Sequence, residues 1–188
     1  MELGKKVRVT AGWYFWTMGR TAMITEAHGN LLDADVDALV NTVNTVGVMG
    51  RGIALQFRRA YPKMYETYQR DAKAGAITLG RMHVWQTGAP TGPRYVINFP
   101  TKGHWRARSR LAAIERGLDD LVRTARELRI RSIAVPPLGC GNGGLPWAEV
   151  EPRIRSVLGR LDPDVHVVLY PPGGPPAAAD MRTATGRR

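Results

Sequence analysis

At 188 residues, 44% hydrophobic and 23% charged, the chain has the make-up of one globular domain with a full core. No apolar run approaches the roughly 18 residues needed to span a bilayer, so no membrane partner is expected. The single cysteine, Cys140, rules out an intrachain disulfide and fits a reducing, cytoplasmic compartment. The formal charge is +11, of which +3 lies in residues 1–20, +2 in 171–188 and +6 between them. That suits a nucleic acid or another polyanion as partner, and equally a basic surface kept soluble by its charge.

Residues 1–20 read as a leader extension, 21–170 as the domain and 171–188 as a disordered tail of Pro, Gly and Ala. The leader joins Lys5-Lys6-Val7-Arg8 to an aromatic patch, Trp13 to Trp16, without the apolar length or cleavage site of a signal peptide. Met23 to Ala27 reads as the first strand, ending at Gly29-Asn30. Leu31 to Asp37 is a turn whose three aspartates lack the spacing of a calcium loop, so no metal is expected.

The chain is organised around Leu39 to Arg59. An apolar run, Ala38-Leu39-Val40, leads through Asn41 and Asn44 into a loop with Gly47, Gly50 and Gly52. Ile53 and Phe57 then recur at helical spacing, giving strand, glycine loop, helix. That order puts backbone N–H groups and a helix N-terminus at the carboxyl end of a strand, where an anion can be held. The loop is neither a dinucleotide fingerprint nor a Walker A loop.

A second helix spans Pro62 to Ala74, closed by Gly75. Strands over Arg81 to Gln86 and Arg94 to Phe99 follow, and Pro100 to Arg108 is a loop dense in functional groups. Ser109 caps a long helix with an apolar stripe from Leu111 to Leu128. Ser132 to Pro136 is a buried strand running into a second glycine loop, Leu138 to Leu145. Trp147 to Leu161 and His166 to Tyr170 are the last helix and strand. The class is α/β, with a mixed, largely parallel sheet and helices on both faces, and a ligand is expected beyond the carboxyl ends of the strands.

Five motifs in order, GNLL (Gly29 to Leu32), VNTVN (Val40 to Asn44), GVMGRGIA (Gly47 to Ala54), INFPTK (Ile97 to Lys102) and PPLGCGNGGLPW (Pro136 to Trp147), resemble the macrodomains. Within them they resemble the DarG antitoxins, DNA ADP-ribosyl glycohydrolases. The resemblance covers about residues 23–170. It implies binding of ADP-ribose and its removal from thymine bases of single-stranded DNA, with a DarT-type toxin as possible partner and no cofactor.

The implied ADP-ribose site comprises Asn30 and Leu31 by the adenine, Asn44 by the distal ribose, and Asn41 and Thr42 at the same strand end. Gly47, Val48, Met49, Gly50, Gly52, Ile53 and Ala54 wrap the distal ribose and pyrophosphate. Thr101 belongs to the lysine-bearing strand end, and Leu138, Gly139, Cys140, Gly141, Asn142 and Gly143 form the second phosphate loop. Lys102 is implied as the catalytic residue. The chain departs from the pattern twice. Asn30 stands where many macrodomains have Asp, and its amide oxygen can still accept from an adenine amino group. Gly143 stands where the related human terminal ADP-ribose protein glycohydrolase has a catalytic aspartate. Full-length DarG proteins also carry a toxin-binding domain, so this chain reads as a fragment or a minimal form.

Two roles for Lys102 stay open: a neutral amine attacking the distal ribose C1″, or an ammonium assisting the leaving base. Cys140 has no histidine in its motif to activate it and reads as a small packing residue. His104, Trp105 and Arg106 are candidates for nucleic-acid contact, by stacking and by charge, or else packing and solvated groups. Two further functions remain in view: a non-catalytic ADP-ribose reader, and a hydrolase acting on ADP-ribosylated protein carboxylates.

Overall fold

The structure, a computed structural model, describes residues 21–173. The expected leader and all of the expected tail beyond Gly173 lie outside the described residues. In chain order the elements are β1 (Met23–Glu26), a 3-10 turn (Leu31–Asp33), β2 (Ala38–Asn44), α1 (Gly52–Ala60), α2 (Pro62–Lys73), β3 (His83–Gln86), β4 (Tyr95–Lys102), α3 (Leu111–Glu127), β5 (Ser132–Val135), α4 (Trp147–Leu158) and β6 (His166–Leu169). The strands form one sheet in the order β1-β6-β5-β2-β4-β3. All pairs are parallel except β3 with β4.

Side chains alternate across the sheet and divide the core in two. Ala38, Val40, Ile97, Phe99, Ile133 and Val135 pack with α3 and α4. Leu39, Val43, Val96 and Ala134 pack with Phe57 of α1 and Met64 and Tyr68 of α2. Because β2 is covered on both faces, its start reads as an unbroken apolar run. The close approach of α3 depends on Gly117, where a Cβ would come within 2.3 Å of the Phe99 ring.

Two expectations at β4 and α3 are corrected. β4 does not end at Phe99 but continues through Pro100 and Thr101 to Lys102. Proline is tolerated there because β3 stops pairing at Asn98, and a bulge follows: Val43 pairs with Pro100 but Asn44 with Lys102. Ser109 does not cap α3. The N-cap is Arg110 with no side-chain cap bond, while Ser109 is buried and its Oγ finds no partner among the described residues.

Candidate active site

β5, β2 and β4 lie side by side and parallel, so the loops that follow them emerge together at one edge. β2 pairs with β5 only at Ala38 and Leu39, but with β4 as far as Asn44. Pro136 and Pro137 supply no N–H, so the β5 ladder cannot extend and the chain leaves the sheet. The gap between β2 and the departing β5 chain opens into a cavity of about 1060 Å³, lined from the ends of all five parallel strands. Its walls include Arg51, Lys102 and Arg106 and, among the described residues, no carboxylate.

The first glycine loop is folded around one side chain. Asn44 Oδ1 accepts from the backbone N–H of Val46 at 3.1 Å and of Val48 at 3.2 Å, and its Nδ2 donates to the Val48 carbonyl at 2.6 Å. Behind it the buried Tyr68 hydroxyl donates to the Asn44 carbonyl at 2.5 Å, and burial pushes the Tyr68 pKa up. Gly47, at φ 81°, packs where a Cβ would lie 3.2 Å from Ala72 of α2. α1 begins at Gly52 without a side-chain cap and with no acidic residue in its first turn, which leaves its first N–H groups facing the cavity side for an anion.

The second loop is as tightly determined. Gly139 takes φ 72°, and a Cβ on Gly143 would lie 2.3 Å from Ser109 Oγ and 2.4 Å from the Gly139 carbonyl oxygen. A side chain at 143 would therefore require the loop or Ser109 to move. Cys140 Sγ sits 3.6 Å from the Leu138 carbonyl, and burial pushes its pKa up to about 11, so the thiolate is scarce at neutral pH.

Lys102 joins the loops. The bulge precedes it, and its Nζ donates to the Asn142 carbonyl at 2.9 Å. Burial lowers its pKa. Thr45, at the start of the first loop, donates through N–H to the Lys102 and Gly103 carbonyls at 3.2 and 3.3 Å, and through Oγ1 to Gly103 at 2.7 Å. Asn142 also meets the first loop: a Cβ on Gly52 would lie 3.2 Å from its Nδ2.

Of the residues expected at the ligand, the cavity is lined by Asn30, Leu31, Thr42, Asn44, Val48, Gly50, Gly52, Ile53, Ala54, Thr101 and Gly139 to Gly143, with Lys102, Trp105 and Arg106. Asn41, Gly47, Met49, Leu138 and His104 do not line it. Asn41 faces inward, donating to Asn98 Oδ1 at 2.9 Å and toward Met49 sulfur at 3.8 Å. Asn98 in turn bonds His83 at 3.0 Å, and His83 bonds Asp71 at 3.0 Å, a polar chain that runs from the buried Asn41 out to the partly exposed Asp71. Leu138 and Met49 are core. Asn30 Oδ1 caps the 3-10 turn at Leu32 N–H. Sequence reasoning missed His28 and Tyr170, and Pro171, Pro172 and Gly173 line the cavity although they belong to the expected tail. The only signal for these was their place after β1 and β6.

Residues 40–154 match the family model of the Macro domain. A DNA ADP-ribosyl glycohydrolase of Mycobacterium tuberculosis is 59% identical over 152 residues, 81% of this chain and 43% of that protein. The chain thus spans less than half the length of that curated relative. Among solved structures, the macrodomain of Mycobacterium tuberculosis DarG is similar with a TM-score of 0.79 at 58% identity, over 81% of this chain and 99% of that one. Thermosipho africanus DarTG in complex with ADP-ribose has a TM-score of 0.76 at 31% identity, over 81% of this chain and 42% of that one.

Proposed function

Because this chain belongs to the Macro domain family, we propose that it hydrolyses the N-glycosidic bond joining ADP-ribose to thymine bases of single-stranded DNA, reversing a DNA ADP-ribosyltransferase toxin. The observation that carries this is Lys102, held 2.9 Å from the Asn142 carbonyl between two glycine loops that both line the cavity. The pyrophosphate lies between Gly50–Gly52 and Gly139–Gly143, whose N–H groups and the α1 N-terminus supply donors. The adenine lies toward Asn30, Leu31 and Tyr170, and the distal ribose toward Asn44 and Lys102.

Cleavage builds positive charge on the ribose and negative charge on the departing base. Lys102, as the ammonium, gives a proton to the thymine nitrogen as the bond to C1″ breaks. Water attacks C1″, and the proton it sheds restores the ammonium. Two arguments favour this over attack by the amine. Among the described residues, no lining residue is a carboxylate that could activate water against a covalent adduct. A bound pyrophosphate also offsets the desolvation that lowers the lysine pKa.

The same lack of carboxylates favours, as a second reading, a non-catalytic ADP-ribose reader. Lys102→Ala on ADP-ribosylated oligothymidylate separates the two. The hydrolase loses at least about 100-fold in turnover while keeping most of its affinity for free ADP-ribose. A wild-type chain that binds but releases no ADP-ribose over hours is a reader. The steric closure at Gly143 argues against the protein-carboxylate hydrolase, for which the family resemblance implies an aspartate there.

A further inference from the structure

We propose, resting on the reading of the substrate as ADP-ribosylated single-stranded DNA, that the face from Trp105 to Arg110 beside the cavity mouth binds the nucleotides flanking the modified thymine. Trp105 stacks a base, and Arg106, Arg108 and Arg110 take phosphates.

Trp105 is 40% exposed and is not packed away under α3. Its ring lies 5.3 Å from that of His104 at 31°, and the Arg106 guanidinium lies 4.4 Å from its centroid. The turn that presents it is fixed: Arg106 N–H donates to His104 Nδ1 at 3.2 Å, and Gly103 is tied to Thr45 of the first loop. Trp105 and Arg106 themselves line the cavity, so a base stacked there continues directly from a nucleotide whose ADP-ribose is inside.

The arginines of this face differ in setting from many of those elsewhere. Arg94, Arg123, Arg131, Arg153, Arg155 and Arg160 all meet carboxylates. Arg106, Arg108 and Arg110 form no ion pair among the described residues, and Arg108 reaches only the Gly144 carbonyl at 3.1 Å. They precede α3, whose first turn holds no acidic residue, so like charge accumulates at the positive end of a helix. A polyanion relieves that repulsion. The partner must also offer flat faces for an exposed indole beside the cavity. A single nucleic-acid strand has both, with phosphates and unstacked bases alternating along it. A duplex hides its faces, and an acidic peptide has none.

The test is fluorescence anisotropy of this chain with unmodified oligothymidylate, single-stranded and as a duplex, alongside calorimetry with free ADP-ribose. Trp105→Ala should weaken single-strand binding at least about fivefold, well beyond any change for free ADP-ribose, and Trp105→Phe should restore most of it. Arg106→Ala with Arg108→Ala should lower the salt slope of single-strand binding by about 0.7 for each phosphate no longer neutralised. Unchanged single-strand affinity in Trp105→Ala, tighter binding of the duplex than of the single strand, or an equal loss for free ADP-ribose each overturns the proposal. These binding arms need no turnover, so a chain that proved to be a reader would still be judged by them.

Discussion

Lys102 Nζ and the carbonyl oxygen of Asn142 are 2.9 Å apart, a hydrogen bond that ties the end of β4 to the second glycine loop across the cavity mouth. The lysine is thereby a donor placed between the two glycine loops before any ligand arrives. Its pKa is lowered from 10.5 because burial disfavours the charge.

That direction gives the pH dependence a sign. The profile of kcat/KM reports the free enzyme. If Lys102 acts as the acid, kcat/KM on ADP-ribosylated oligothymidylate is highest while the ammonium persists. It falls as pH rises through a pKa below 10.5. An attacking amine gives the opposite limb, rising with pH. Lys102→Arg keeps a cation but cannot release a proton in this range, so it should lose about 100-fold or more, as the alanine variant does. A rising limb, or an adduct trapped by borohydride during turnover, returns the mechanism to covalent catalysis.

Gly143 gives a steric prediction. A Cβ there meets Ser109 Oγ at 2.3 Å and the Gly139 carbonyl at 2.4 Å. Gly143→Ala should cost about 1–3 kcal/mol and weaken ADP-ribose binding by displacing the second loop. Ser109→Ala should not rescue it, since the carbonyl clash remains. Full binding in Gly143→Ala, measured by calorimetry and thermal melting, means that this loop is softer than its packing implies.

Asp37 reads in the sequence as part of a solvated turn, and in the structure it is a clamp on three strands. Its Oδ2 accepts from Arg131 N–H at 2.7 Å, and its Oδ1 from Arg94 Nε at 3.3 Å. Its own N–H donates to Ser132 Oγ at 2.9 Å. Burial alone would raise its pKa, but these hydrogen bonds and the Arg94 charge outweigh it and leave the pKa below 3.8. A carboxylate with a depressed folded pKa stabilises the fold above its unfolded pKa, and that contribution disappears as pH falls through the folded value. Asp37→Ala should therefore cost about 2 kcal/mol in urea unfolding at neutral pH. The gap from wild type should narrow below pH 3.8. An equal gap at both pH values assigns the loss to packing, not charge.

The strand–glycine loop–helix units were legible because each is local: an apolar run, glycines and helical spacing sit next to one another in β2 to α1 and again in β5 to α4. So was the side of the sheet, since parallel strands send their loops to one edge. What the sequence hid depends on distant partners. Pro100 reads as a strand breaker until β3 is seen to have stopped pairing at Asn98. Ser109 reads as a cap until the Gly143 loop is found against it. Tyr170 reaches the cavity only because β6 lies beside β5. In VNTVN the sequence favours Asn44 over Asn41 as a ligand, but not where Asn41 points: it faces Asn98 in the interior, while Asn44, three positions on, stands at the loop.

Asn44 is where the structure adds most to the expectation of a ribose ligand. It lines the cavity but is only 5% exposed, and its amide holds Val46 and Val48 in the turn that shapes the first loop. Tyr68 holds the Asn44 backbone without lining the cavity. Asn44→Ala frees two N–H groups and one carbonyl, and should weaken ADP-ribose binding. Asn44→Asp keeps the acceptor for both N–H groups but sets a carboxylate against the Val48 carbonyl, where the amide now donates at 2.6 Å. It should therefore bind more weakly than the alanine variant. Tyr68→Phe should weaken ADP-ribose binding about fivefold from outside the cavity, by leaving the Asn44 carbonyl without its donor. Calorimetry with ADP-ribose, paired with thermal melts to separate loop disorder from global unfolding, checks all three. If Tyr68→Phe binds as wild type while Asn44→Ala does not, the Asn44 amide holds the first loop without help from Tyr68.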